Sequence, residues 1–247
     1  MHSAQATPGS HFWHLPFDAS LHGPALDHQL ILNLWIALAL FTLAHIILLI
    51  GFMSRRRAHR PIHQLTLEYL PLTALTVLFA FLAVHSHHLW AVQRYTGADL
   101  SAMQVEVTGM QFAWYFRYPG PDATFGRTKL SLADAGAGNP LGLDPTDPHS
   151  ADDIVTSQLA LPVNREVDLT LRSQDVIHGF SVPQMRIKQN TVPGMTVHIH
   201  FTPTVTGTYA IMCTQLCGMG HYRMTATMLV LPQDKFAAWL KQHEVAQ

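Results

Sequence analysis

Two long apolar runs constrain this chain more than any other feature in it. The first, "QLILNLWIALALFTLAHIILLIGFM" from Gln29 to Met53, holds no formal charge over 25 residues. As a helix it spans roughly 37 Å at about 1.5 Å per residue, enough to cross a bilayer with some tilt. The second, from Leu65 to Val92, has one charged residue, Glu68, near its start, and Pro71 close enough to the first turn to be tolerated. Composition points the same way, with 48% of residues hydrophobic and only 13% charged, less charge than an ordinary soluble surface carries. The expectation is a transmembrane hairpin over 28–93, with spans at about 29–53 and 65–92.

The linker at 54–64 sets the orientation. Its "SRRRAHRPIH" gathers Arg55, Arg56, Arg57 and Arg60, and short basic loops stay cytoplasmic. Both termini, including the segment 1–27, are then extracytoplasmic, which in a bacterium is the periplasmic side of the inner membrane. "MHSAQATPGS" has no basic stretch leading into a short apolar core, so the first span is expected to act as an uncleaved signal. His85, His87 and His88, with Trp90 where the second span leaves the bilayer, read as membrane-interface residues.

From about Ser101 the pattern changes to period two. Val167, Leu169 and Leu171 alternate with Asp168, Thr170 and Arg172, and Met195, Val197, Ile199 and Phe201 repeat the alternation, so the expectation is an all-β sandwich over 101–234. "PGPD" (119–122), "VPG" (192–194) and "TGT" (206–208) supply its turns. "ADAGAGNPLGLDPTDPHS" (133–150) reads as a long polar loop. His198 and His200 share the polar face of one strand, a solvated or partner-facing edge. Met110, Met185, Met195, Met212 and Met219 are expected to be packing residues. In the closing segment, 235–247, Phe236, Trp239 and Leu240 fall at helical spacing after a possible Asp234 cap.

Both cysteines of the chain lie in "CTQLCGMGHYRM" (213–224), together with a histidine and a methionine. Thiolate and thioether are soft ligands and imidazole is borderline, so Cys213, Cys217, His221 and Met224 favour copper over magnesium, calcium or manganese. A single blue copper uses one cysteine, two histidines and a weak methionine; the second cysteine here suits two coppers bridged by two thiolates. A further histidine must then come from elsewhere, and the candidate is His178 in "SQDVIHGF", if the strands fold as a Greek key. Three other readings of these residues stay open. A disulfide would leave His221 and Met224 unexplained. Zinc on Cys213, Cys217, His221 and His178 would leave Met224 idle. A thioredoxin-like copper-delivery protein should carry a proline after its second cysteine and its histidine downstream, whereas Gly218 follows Cys217 and His178 lies upstream.

Over nearly its whole length the chain resembles subunit II of the heme-copper oxidases, the cytochrome c oxidase subunit that carries the dinuclear copper centre CuA. The resemblance rests on the two-helix hairpin, the histidine after a strand, and the spacing C-x3-C-x3-H-x2-M. "KQNTVPG" (188–194) is similar to the family's lysine-containing turn, and "GMQFAWYFRY" (109–118) to its aromatic strand. The resemblance implies a cupredoxin domain whose copper ligands are His178, Cys213, Cys217, His221, Met224 and the backbone carbonyl of Gln215. It further implies a c-type cytochrome as electron donor and a heme in subunit I as acceptor, where oxygen is reduced to water. A CuA-bearing subunit of a nitric oxide reductase would share the same features.

The resemblance also assigns candidates outside the copper set. A glutamate at the start of the second helix lies, in the family, at the mouth of a proton-uptake channel, which points to Glu68. Phe112 stands where the family commonly has the tryptophan that receives electrons, and with Trp114 it would share one face of an extended strand. Gln215 replaces a glutamate whose carboxylate contacts magnesium at the subunit I interface, so it keeps the carbonyl and lacks the anion. Asn190 replaces the usual aspartate before Pro-Gly. From Met103 onward the chain has 12 acidic and 10 basic residues, a weak field for steering a basic partner. A membrane-tethered cytochrome or a neighbouring complex is then as suitable a donor as a soluble one.

Overall fold

The computed structural model describes residues 15–54 and 64–244. The N-terminal stretch read above as lacking a cleaved signal, and the four arginines of the linker, lie outside the described residues. The chain forms two compact units, the helices at Pro24–Tyr95 and a second unit that joins the residues up to Gly23 to those from Thr96 onward.

The helical unit comprises α1 (Gly23–Met53) and α2 (Gln64–Arg94). Trp35, Phe41, Ile47 and Ile50 of α1 point to different sides of the helix and are all exposed, as are Leu72, Phe79, Phe81 and Val84 of α2. A helix that is apolar all round needs an apolar surrounding, and mean hydropathies of 2.5 and 1.7 over the most apolar windows suit lipid. Two polar side chains within the spans bond to the backbone of their own helix. His45 Nδ1 lies 2.8 Å from the Phe41 carbonyl, and the Thr76 hydroxyl donates to Leu72 O at 2.8 Å. α2 begins at Gln64, one residue before the expected start, and Pro71 lies inside the helix, beyond its first turn.

The second unit is a sandwich of two five-stranded sheets, as the period-two alternation predicts. Its strands are β1 (Met103–Met110), β2 (Ala113–Tyr118), β3 (Ile154–Thr156), β4 (Gln158–Pro162), β5 (Val167–Ser173), β6 (His178–Val182), β7 (Ile187–Thr191), β8 (Val197–Phe201), β9 (Gly207–Cys213) and β10 (Thr225–Leu231). One sheet runs β3-β2-β1-β5-β8 and the other β4-β10-β9-β6-β7. The inward residues of both, among them Val105, Val107, Trp114, Phe116, Leu169, Leu171, Phe180, Ile211 and Met228, make one core. After β10, α3 (Gln233–Glu244) folds back. Asp234 stands in its first turn rather than at its cap, Phe236 is buried, and Trp239 meets Tyr118 edge-on at 5.4 Å.

Three of the methionines expected to pack do not. Met195 lies outside β8 and is 56% exposed, because the turn through Pro193 and Gly194 (φ 76°) delays the ladder until Val197. Met212 points outward from β9, whose inward positions are Tyr209 and Ile211, and Met219 is 95% exposed in the loop beyond. Met185 is buried, and Met110 is half-buried.

Buried charge helps to order the long loop, alongside the buried Leu141. Asp144 and Asp147 are buried within it; Lys129 pairs with Asp144 at 2.8 Å, and Arg127 with Asp147 at 3.1 Å. Arg117 of β2 is likewise buried, 1% exposed, and held by Glu106 at 2.9 Å, by Asp153 and by the Gly126 carbonyl. Buried charges persist where every donor finds an acceptor.

Candidate metal centre

The site is assembled by strand pairing. His178 opens β6 and is completely buried, and β6 pairs with β9 through Phe180–Cys213 and Ser181–Met212. This sets His178 beside the loop that leaves β9 at Cys213. The approach is so close that a methyl group on Gly179 would lie 2.5 Å from Thr214 Oγ1 and 2.8 Å from Gln215 N, so only glycine fits. The loop's two ends are tied together where Cys213 N–H donates to Met224 O at 3.1 Å, and Thr214 N–H donates to Gly179 O at 2.9 Å.

Six groups named from the sequence converge here. The Cys213 and Cys217 sulfurs are 3.9 Å apart, almost twice a disulfide bond length, and both thiols are free. Cys217 Sγ lies 3.6 Å from His221 Nδ1 and 3.7 Å from Met224 Sδ, and Cys213 Sγ lies 3.2 Å from the Gln215 carbonyl oxygen. Ligand atoms of His178, Cys213 and Cys217 all fall within 4.8 Å of one another. Cys217 and Met224 are buried, Cys213 and His221 half-buried. Burial, with Cys213 alongside, pushes the Cys217 thiol up to about 11, so a metal that takes the sulfur must displace its proton.

His178 shows what the arrangement is suited to hold. Its Nε2–H donates to Asp175 Oδ1 at 2.8 Å, while its buried Nδ1 makes no hydrogen bond. An imidazole anchored to a carboxylate on one side and bare on the other is the usual form of a metal ligand. Burial pushes the Asp175 carboxyl up, but hydrogen bonds from His178, Gln111 N and Val176 N outweigh it and hold it below the usual range. Two thiols, a thioether and bare imidazole nitrogen make a soft to borderline donor set that fits copper.

Two supporting residues were not singled out in the sequence. Asp175 had a local signal, a carboxylate three residues before a ligating histidine. Gln111 had none: its side-chain amide donates to the Cys217 carbonyl across 106 residues of chain. Phe112 departs from its expected place on an extended strand. β1 and β2 form a hairpin in which Met110 pairs with Ala113, so Gln111 and Phe112 are the turn itself. The half-buried Phe112 ring instead lies on the cysteine loop, so close that a methyl group on Gly220 would be 2.4 Å from its Cδ2. Trp114 is 1% exposed and meets His178 at 5.9 Å and Phe180 at 5.4 Å, both edge-on. Glu68 is exposed on α2, in the helical unit.

Comparison with known proteins shows the family. The alternative cytochrome c oxidase subunit 2 of Bradyrhizobium diazoefficiens is 40% identical over 145 residues, 58% of this chain and 52% of that protein. Cytochrome c oxidase subunit 2 of Thermostichus vulcanus is 34% identical over 140 residues, 57% of this chain and 33% of that protein. The matches thus span about half or less of these curated relatives. Among solved structures, the periplasmic domain of subunit II of cytochrome oxidase from Bradyrhizobium japonicum is similar at a TM-score of 0.44 and 23% identity, covering 60% of this chain and 97% of that one. The family model described as cytochrome c oxidase subunit II, periplasmic domain, matches residues 103–230, and the chain belongs to that family.

Proposed function

We propose that this chain is the electron-accepting subunit of a respiratory heme-copper oxidase, anchored in a bacterial inner membrane with its sandwich on the periplasmic side. The observation that carries the reading is the bare, buried Nδ1 of His178 facing a pair of free thiols. His178, Cys213, Cys217, His221, Met224 and the Gln215 carbonyl would hold two copper ions of the CuA kind. Bound there, such a pair would supply one-electron redox chemistry. The protein's part is to fix the ligands beforehand. Asp175 orients His178, Gln111 anchors the Cys217 backbone, and Trp114 with Phe180 keeps water from the buried side. Electrons would come from a c-type cytochrome and leave to a heme in subunit I, the other oxidase subunits completing the complex. Gln215 offers no carboxylate to magnesium at that interface. Electron paramagnetic resonance with metal analysis tests the reading: a seven-line mixed-valence spectrum at two coppers per chain supports it, whereas a four-line spectrum or zinc overturns it.

The donor side of this reading has its own test. Around the cysteine loop Leu216, Met219 and Tyr222 are 77%, 95% and 78% exposed, an apolar rim that suits a heme edge better than a charged partner. The Phe112 ring lies against Gly218 and Gly220 of the same loop. Phe112→Ala is expected to slow electron uptake from the donor about tenfold, the rate cost of roughly 1.4 kcal/mol, with the copper spectrum unchanged. Stopped-flow reduction measures it, and normal uptake would remove Phe112 from the donor path.

Glu68 is proposed to lie at the point of proton uptake, since a carboxylate in a spanning helix is costly unless it serves a proton path or a partner. Glu68→Gln is expected to slow steady-state turnover at least several-fold while leaving copper reduction by the donor intact. Unchanged turnover across the pH range would defeat the assignment.

A further inference from the structure

On the outer face of the β3-β2-β1-β5-β8 sheet, away from the copper ligands, a second histidine is arranged as His178 is. His200 of β8 has its Nδ1 2.9 Å from Glu166 Oε1, and since an ionised carboxylate only accepts, Nδ1–H is the donor. Its side chain is 8% exposed, and its Nε2 is buried without a hydrogen bond. Facing it is His22, whose Nδ1 is likewise buried and without a partner. The two rings stand edge to face, with centroids 6.3 Å apart and planes at 88°. Two imidazoles that share one metal at about 2.0–2.1 Å have centroids roughly 5–6.5 Å apart, according to the angle at the ion.

His22 is not placed there by chance packing. Ala19 N–H donates to Gln184 O at 2.8 Å, Leu21 N–H to Thr202 O at 3.0 Å, and Thr204 N–H to Ala19 O at 2.8 Å. The chain immediately before His22 is therefore stitched to the sandwich on both sides, and Ser20 caps Gly23 N–H at 3.0 Å. Glu166 is itself fixed, accepting Asp99 N–H at 3.3 Å on its other oxygen. His198, the other histidine of the strand, differs. It is 57% exposed and its Nδ1 lies 3.2 Å from Asp168, so it serves as a control.

We infer that His22 Nδ1 and His200 Nε2 form a second metal site, for one zinc or copper(I) ion, with Glu166 orienting His200. Imidazole suits both ions, and the carboxylate–histidine–metal relay is how such ligands are held. The site would clip the segment ahead of α1 to the edge strand β8, and it is independent of the copper centre.

The test uses the full chain in detergent, with Cys213→Ser and Cys217→Ser removing the thiols so that the copper centre does not take the ion. Zinc(II), or copper(I) under anaerobic reducing conditions, is titrated and the bound metal measured by mass spectrometry. One ion per chain is expected, the tighter of the two identifying the occupant. Affinity should fall at least tenfold in His22→Gln and in His200→Gln, and 10–100-fold in Glu166→Gln, the usual loss when a ligand's carboxylate partner is removed. His198→Gln should leave it unchanged. No ion bound by the thiol-free chain, which would mean that water bridges the two nitrogens, overturns the proposal. So does binding that survives His200→Gln, or that falls equally in His198→Gln, the mark of adventitious surface histidines.

Discussion

Cys217→Ser is expected to abolish the mixed-valence spectrum of the proposed copper centre and to lower the copper it holds from the proposed two ions per chain to one or none. Cys217 stands at the middle of the donor set: its sulfur is within 3.9 Å of the Cys213 sulfur, the His221 Nδ1 and the Met224 sulfur. A hydroxyl in that place is a hard, poorly ionised ligand and would not hold a soft ion as a thiolate would. The backbone should be undisturbed, because the loop's shape comes from main-chain bonds, Cys213 N–H to Met224 O and Thr214 N–H to Gly179 O. Electron transfer from donor to heme should therefore fall to background while the fold and membrane insertion remain. Electron paramagnetic resonance and metal analysis on one sample check this. A variant that keeps the seven-line pattern would show that Cys217 is not a ligand of the proposed centre.

Trp114→Ala should act on the fold first and the copper second. Trp114 is among the largest fully buried side chains of the sandwich, and truncating a buried aromatic to alanine costs about 3–5 kcal/mol. For a domain of this size that lowers the melting temperature by on the order of 10 °C. Its ring also walls His178 and Phe180, so the copper lines should broaden as His178 gains freedom. Trp114→Phe sharpens the test. The indole Nε1 is buried and makes no hydrogen bond, so a phenyl ring loses volume without orphaning a partner and should recover most of the stability. Thermal unfolding by near-ultraviolet circular dichroism measures both, and a melting temperature for Trp114→Ala within 2–3 °C of the parent, well under 1.5 kcal/mol, would show that the ring is not part of the working core.

The features legible in the sequence were those encoded over short stretches. Apolar residues on all sides of 29–53 call for an apolar surrounding, and the length of the run suits a bilayer. Alternation at 167–173 declares one face inward, and structure buries Val167, Leu169 and Leu171 as that alternation requires. Where alternation ran past the real strand it misled. Met195 kept the period but fell in a Pro-Gly turn, and Phe112 kept it but formed the hairpin turn. Period two says which way a side chain points if the residue is in a strand, and nothing about where the ladder stops.

By itself the sequence determined two long apolar helices, a following β-rich domain, and a soft ligand cluster within twelve residues of loop, because each is written in the composition or periodicity of a short stretch. Tertiary structure alone decided which partners those groups meet. His178 reaches the cysteines because β6 pairs with β9, Gln111 reaches the Cys217 carbonyl because the β1–β2 hairpin folds over the loop, and His22 meets His200 because residues 19–21 are bonded to 184 and 202–204. Such pairings are selected by burial summed over the whole core, not by any local pattern, and for that reason no window of the sequence displays them.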